Sequence, residues 1–480
     1  MSSTTTWPKI IQGGMGIGVS NWVLARAVSM KGQLGVVSGT AVDSLIARRL
    51  QDGDPEGHVR RAISHFPWTD MGKRILDKYF VEGGKPADKK YKLIPMATQK
   101  LKTATAEMLI VSNFVEVFLA KEGHDGVVGI NYLEKIQLPT MPSILGAMMA
   151  GVNYVLMGAG IPTGIPGILD GLAKWQPVKL KLNVEENPEQ LDFYQDFDPA
   201  EYGEMPEGGI GRPLFLGIIS SEIVAKTMER RATGEVNGYI IENHTAGGHN
   251  APPRRVRGAD PDAPPAYTEK DIPNVGKVAA IGKPFYLAGG FGCPEKLQEA
   301  IDMGAQGIQV GTTFAYCDES GITREIKDEV LDRCANGTLN IVTAFKASPT
   351  GYPFKLIELD EENDVPSRRK RICDLGYLRH MYLKDDGNLG YRCPAEPVKD
   401  FVRKGGTEEG TNCKQCLCNG LMGTIGHGQV RDFGEEPAIV TTGEDFSVIK
   451  KLIEPGKLVY HASDVVDYFL TGNYKKAEQV

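Results

Sequence analysis

The sequence predicts an α/β fold, a TIM (β/α)8 barrel with large insertions and a C-terminal extension. Three observations predict it. Short apolar runs alternate with segments of helical spacing up to about position 320. Most of the runs are apolar right through, as parallel strands covered on both faces are. Several end in glycine where a helix begins, and 480 residues accommodate a barrel of roughly 250 residues plus insertions.

Pro8 to Gly13 reads as the first strand, followed by GGMGIG at Gly13 to Gly18. Asn21 to Lys31 has helical spacing, and Gln33 to Ser38 is the next strand, so the chain opens as a βαβ unit. A dinucleotide-binding reading competes here. Gly16 to Asn21 gives G-x-G-x-x-N where the fingerprint ends in Gly or Ala, and Ser38-Gly39-Thr40 has no acidic residue to hold a ribose. The barrel reading is preferred. Ala41 to Gly123 is mostly helical and charged, with an apparent strand at Lys92 to Ala97 and an apolar-periodic segment at Ala104 to Ala120. It reads as an insertion after the second strand.

Val127 to Tyr132 is a strand ending on Asn131, Leu145 to Val152 is helical, and Asn153 to Met157 is strand-like. Glu185 to Glu207 carries nine carboxylates and reads as a solvated flap. Leu214 to Ile219 is a strand and Glu222 to Thr233 a helix. Val236 to His249, VNGYIIENHTAGGH, begins as a buried strand and ends in two glycines and a histidine; Asn250 to Pro265 is a loop over the mouth. Pro284 to Gly290, the helix Pro294 to Met303, and Gly307 to Gly311 complete the alternation. The expected division is a barrel over 1–384, with insertions at about 41–123, 185–210 and 250–272, and an extension over 385–480.

Chemistry in such folds sits at the carboxyl ends of the strands. Gly247 and Gly248 allow a ligand close to the backbone, and His249 follows with an imidazole suited to proton transfer. The bland alternative is a capped loop histidine. Ala288-Gly289-Gly290 and Gln309-Val310-Gly311-Thr312 offer backbone N–H groups at helix starts, which bind phosphate. In a TIM barrel the phosphate site follows strands 7 and 8, and these are the last two strands.

IIQGGMG, NHTAGGH, LAGGFG and IQVGTTF, in this order, resemble the FMN-dependent nitronate monooxygenase family, formerly called 2-nitropropane dioxygenases. That family's relatives include flavin-dependent enoyl-thioester reductases. The resemblance covers roughly residues 7 to 320 and implies a TIM barrel carrying FMN. It implies that Gly14 and Met15 face the flavin ring and that Asn131 holds FMN from its strand end. Gly247, Gly289, Gly290, Gly311 and Thr312 would cradle the ribityl phosphate or nearby flavin atoms, with Gln309 and Val310 in the same turn. Gly248 belongs to the same cofactor-binding stretch. His249 matches the catalytic or substrate-contacting histidine, which either abstracts a proton beside a nitro group or stabilises the nitronate. Glu242 stands where the family commonly has glutamine; near a flavin it either has a raised pKa or plays another role. Thr245 replaces a usual glutamate, His244 is an added imidazole, and Lys92 to Ala97 competes with Asn131's strand.

The implied activity is oxidation of alkyl nitronates or nitroalkanes with O2. The alternative is an enoyl-thioester (enoyl-ACP type) reductase using NAD(P)H, for which Arg254, Arg255 and Arg257 could meet a phosphate. A nonenzymatic flavin-binding scaffold would leave His249 idle. Partners are expected to be a small-molecule substrate and O2, with a possible homodimer. A formal net charge of −7 argues against nucleic acid and anionic membranes. No apolar run reaches the roughly 18 residues that a spanning helix would need, and the polar start MSSTTTWPK is unlike a signal peptide, so a cytoplasmic chain is expected. Five of the eight cysteines lie after position 370. Cys393, Cys413, Cys416 and Cys418 are enough ligands for zinc or an iron–sulfur centre, but the spacing is not a pair of C-x-x-C knuckles; the reading taken is buried thiols and no metal.

Overall fold

The computed structural model describes residues 7–254, 265–359, 369–454 and 456–473. Arg255 and Arg257, singled out in the sequence, lie outside the described residues. Eight parallel strands close into a barrel in chain order: β1 Ile10–Gln12, β2 Leu34–Ser38, β3 Val128–Leu133, β4 Tyr154–Gly158, β5 Leu214–Ile219, β6 Gly238–Glu242, β7 Phe285–Ala288 and β8 Gly307–Val310. The closing register pairs Ile11 with Gln309 and, on its other side, with Leu34.

The strands are apolar throughout because both faces are buried. Ile11, Leu34, Val36, Leu156, Leu216, Ile240 and Tyr286 alternate into the lumen, while Ile10, Val37, Val155, Phe215, Tyr239 and Ile308 face the helical shell. The amino end is plugged by Trp7, whose ring meets Tyr154 at 6.0 Å and Tyr286 at 6.5 Å. Only the carboxyl end is left for a ligand. Asn21, the last residue of the glycine loop motif, caps helix Trp22–Met30 by accepting the Leu24 N–H at 2.9 Å.

Three sequence expectations are corrected. Lys92 to Ala97 is not a strand; Lys92 donates its N–H to Gln51 Oε1 at 2.6 Å rather than to a ladder, and Pro95 interrupts any donor series. Asn131 therefore stands unrivalled as the asparagine at the β3 end. The acidic flap is more than solvated surface. Val178–Lys181 pairs with Tyr194–Phe197, and Val184–Glu185 runs parallel to Met381–Tyr382, with Arg392 gripping Glu186 at 2.5 Å and His380 Nδ1 meeting Glu185 at 2.6 Å. Finally, helix Thr103–Lys121 is long and apolar enough to cross a membrane by length and composition, although 83% of that window is buried here. Its carboxylates Glu116 and Glu107 are matched by Arg49 at 2.8 Å and Arg74 at 2.5 Å.

The chain after β8 folds back over the barrel mouth. A hairpin of His380–Leu383 with Leu389–Arg392 spans the expected 384/385 boundary. Strand Phe354–Ile357 touches the β6 loop through an isolated bridge between His249 and Phe354. Tyr460 donates its hydroxyl to the Thr313 carbonyl at 2.7 Å, and helix Ala462–Thr471 packs on helices Trp22–Met30 and Pro294–Asp302.

Candidate active site

The carboxyl end of the barrel opens into a cavity of about 250 Å³. Gly14, Met15, Asn131, Glu242, Gly247, Gly248, His249, Gly289, Gly290, Gln309, Val310, Gly311 and Thr312 all line it. Their place at strand ends explains the convergence: eight tilted strands deliver eight loops to one rim. Gly14 lies so close to β3 that a Cβ there would stand 2.3 Å from Asn131 Cβ. The first and third strand ends thus form one wall.

The opposite wall is lined by glycines and by polar groups without partners among the described residues. Gly289 and Gly290 turn with φ of 78° and 82°, a conformation that costs an L-residue about 1–2 kcal/mol. The backbone N–H groups of Gly289, Gly290, Gly311 and Thr312 find no acceptor among the described residues. Gln309 Oε1 and Thr245 Oγ1 are also buried without partners. Buried polar atoms are seldom left so, and here they surround one cavity. The helix that Thr312 opens, Thr312–Ala315, has four residues, so attraction for an anion rests on the N–H groups far more than on a macrodipole. Thr312 does not cap that helix with its own hydroxyl; Oγ1 instead accepts the Gly443 N–H at 3.0 Å.

His249 is anchored by a residue absent from the sequence reading. Its Nε2 lies 2.7 Å from Ser348 Oγ, and Ser348 Oγ is held in turn by Thr350 Oγ1 at 2.8 Å. The ring meets Phe354 edge-on at 4.8 Å. Burial, helped by the Lys135 ammonium, lowers the His249 pKa to about 4, so the imidazole is neutral at physiological pH. Nδ1 has no hydrogen-bond partner among the described residues. Glu242, at the end of β6, is the converse case. Burial raises its carboxyl to about 7, which selects the raised-pKa alternative. His244 turns away to stack on Tyr267 at 4.3 Å and is not part of the cavity lining. Arg254 sits in the outer loop, its N–H donated to Asp271 at 2.7 Å.

Sequence reasoning missed the roof. Tyr377, Leu378, Leu417, Cys418, Leu421 and the segment Thr441 to Asp445 line the cavity from the C-terminal region. Thr441 Oγ1 accepts the Gly248 N–H at 3.1 Å, and Glu444 is tied to Lys355 at 2.5 Å. No local signal marks these residues, since their role depends on contacts nearly two hundred positions away.

Residues 211–369 match the family model described as nitronate monooxygenase; they hold β5 to β8 and the last three motifs. A curated nitronate monooxygenase from Paraburkholderia phytofirmans is 24% identical over 223 residues, 45% of this chain and 56% of the relative. The match thus spans about half the relative's length. Among solved structures, FabK from Thermotoga maritima is similar over 73% of this chain and 71% of that one, with 16% identity and a TM-score of 0.39. A nitroalkane oxidase from Streptomyces ansochromogenes is similar over 73% and 76%, with 14% identity and a TM-score of 0.40. The resemblance read from the four motifs is to the nitronate monooxygenase family.

Proposed function

We propose that this chain is an FMN-dependent oxidoreductase that oxidises alkyl nitronates with O2. The observation that carries the reading is the unpaired N–H cradle at the ends of β7 and β8, facing a neutral histidine across the same cavity. The cradle suits the phosphate of FMN, with Gln309 and Thr245 supplying further polar contacts. Asn131, Gly14 and Met15 form the wall on which the ring would rest. Glu242, protonated below about pH 7, would donate a hydrogen bond as the family's glutamine does. Bound there, FMN supplies the electron acceptor between substrate and O2.

His249 determines which ionic form of the substrate is preferred. A histidine whose conjugate acid has a pKa near 4 is a weak base, so removing a proton from carbon is poorly driven. It is better suited to a substrate that is already anionic, orienting the nitronate oxygens within a site walled from water by Leu417, Leu421 and Phe354. Ser348 fixes the plane of the ring by holding Nε2.

The test is the visible spectrum of the purified protein, followed by anaerobic mixing with an alkyl nitronate, with the parent nitroalkane, and with NADH or NADPH. Flavin bands bleached fastest by the nitronate support the proposal. Bleaching by nicotinamide alone would replace it with the enoyl-thioester reductase reading, and no flavin after FMN is added would refute the cradle.

A further inference from the structure

Ser348 fixes where the hydrogens around His249 lie. Its buried Oγ has three polar neighbours: His249 Nε2 at 2.7 Å, Thr350 Oγ1 at 2.8 Å and the Thr350 backbone N–H at 3.2 Å. A hydroxyl has one hydrogen to donate and two lone pairs to receive others. The Thr350 N–H only donates, so it fills one lone pair. One lone pair and one hydrogen are left to be shared between His249 and the Thr350 hydroxyl.

Two arrangements satisfy Ser348. In the first, Thr350 donates its hydroxyl to Ser348 and Ser348 donates to Nε2, which is then bare. In the second, a protonated Nε2 donates to Ser348, and Ser348 donates to Thr350 Oγ1. That oxygen already accepts the Tyr352 N–H at 3.4 Å, so the second arrangement fills both its lone pairs and leaves its own hydrogen without an acceptor among the described residues. The first uses the hydrogens of both hydroxyls, and an unused donor is the costlier thing to leave. Two ammonium groups hold the loop in this geometry: Lys414 donates to the Ser348 carbonyl at 2.9 Å and Lys135 to the Thr350 carbonyl at 3.0 Å.

A neutral ring with a bare Nε2 carries its proton on Nδ1. Nδ1 has no partner among the described residues and is not sealed in, and the ring forms part of the cavity wall. We propose that Ser348 and Thr350 are positioning residues that hold His249 as the Nδ1–H tautomer, so that it meets the substrate as a hydrogen-bond donor and selects an anionic oxygen over a neutral carbon acid. With its lone pair turned to Ser348, the ring presents no base to a C–H group, whereas a nitronate oxygen accepts the Nδ1–H directly. The selectivity rests on the nitronate reading of the cavity; the tautomer does not.

The full chain, labelled with nitrogen-15 in its eight histidines, should show at neutral pH a pyridine-type shift for Nε2 of His249 and a pyrrole-type shift for Nδ1 in two-bond proton–nitrogen correlation spectra. The His249 signals are those that disappear in His249→Gln. Thr350→Val removes the hydroxyl that fills the second lone pair of Ser348, so the tautomers should mix and both shifts move toward the average. The kcat/KM for an alkyl nitronate should fall about tenfold with it, and Thr350→Ser should restore both readouts. The wild-type spectrum stands without either variant. A pyrrole-type Nε2 in the wild type, or Thr350→Val with both shifts in place, would overturn the proposal. The Nδ1–H tautomer in a protein whose flavin no nitronate bleaches would uphold the tautomer and overturn the nitronate reading.

Discussion

Replacing Glu242 with glutamine should stabilise the flavin-free protein above pH 7 and do little near pH 5. The carboxyl rises from an ordinary 4.5 to about 7 because it is buried at the β6 end, with no hydrogen-bond partner among the described residues to favour its charged form. The folded state therefore binds the proton more tightly than the unfolded state, and stability falls as pH rises from 4.5 through 7. At about 1.4 kcal/mol per pH unit, the full penalty reaches about 3 kcal/mol above pH 7 and under about 1 kcal/mol at pH 5. Glutamine keeps the shape and a donor but cannot ionise. Urea unfolding of both proteins at pH 5 and pH 8 measures the difference directly, provided the slopes agree. An advantage for the variant that is equal at the two pH values, or a loss at pH 8, would refute the reasoning, the latter by showing an ionised and stabilised Glu242. With FMN added, retention by the wild type should weaken above pH 7 while the variant's stays flat.

His249→Ala should lower turnover by about 10² to 10⁴ while FMN remains bound; loss of flavin would make the histidine structural. Because the folded-state pKa of His249 is depressed from 6.5 to about 4, its contribution is fully present above pH 6.5 and is lost as pH falls toward 4, by up to about 3 kcal/mol. Unfolding of wild type and His249→Gln across that window should show the wild type alone declining by this amount. Gly443→Ala would place a Cβ 2.7 Å from Thr312 Oγ1 and 3.1 Å from the Thr245 carbonyl. Such overpacking costs about 1–3 kcal/mol, so FMN affinity, measured by fluorescence titration, should drop about tenfold or more with the barrel still folded.

The barrel was legible because parallel strands covered on both faces leave an unmixed apolar signal, and Gly289 and Gly290 punctuate it where the backbone turns with positive φ. Asn131 and His249 were legible as polar residues at strand ends. Lys92 to Ala97 misled because a strand is made by a neighbour, and here Gln51 takes the Lys92 N–H while Gln429 takes that of the preceding Tyr91 at 2.7 Å. The carboxylates of the flap looked solvated since their partners His380 and Arg392 lie nearly two hundred residues on.

Within β1 to β8 the chain already has its cradle and its histidine, yet each is finished from beyond the barrel. Ser348 orients His249, Thr441 takes the Gly248 N–H, and Gly443 binds the hydroxyl of Thr312. Under the FMN-binding proposal, a barrel with those strand ends alone would leave the phosphate open to water, where screening weakens every contact to it. The later residues, whose sequence carries none of the four family motifs, exclude that water. They also bring Cys418 against the same cavity. Whatever distinguishes this chain's chemistry from that of a bare barrel is therefore built by the residues after β8.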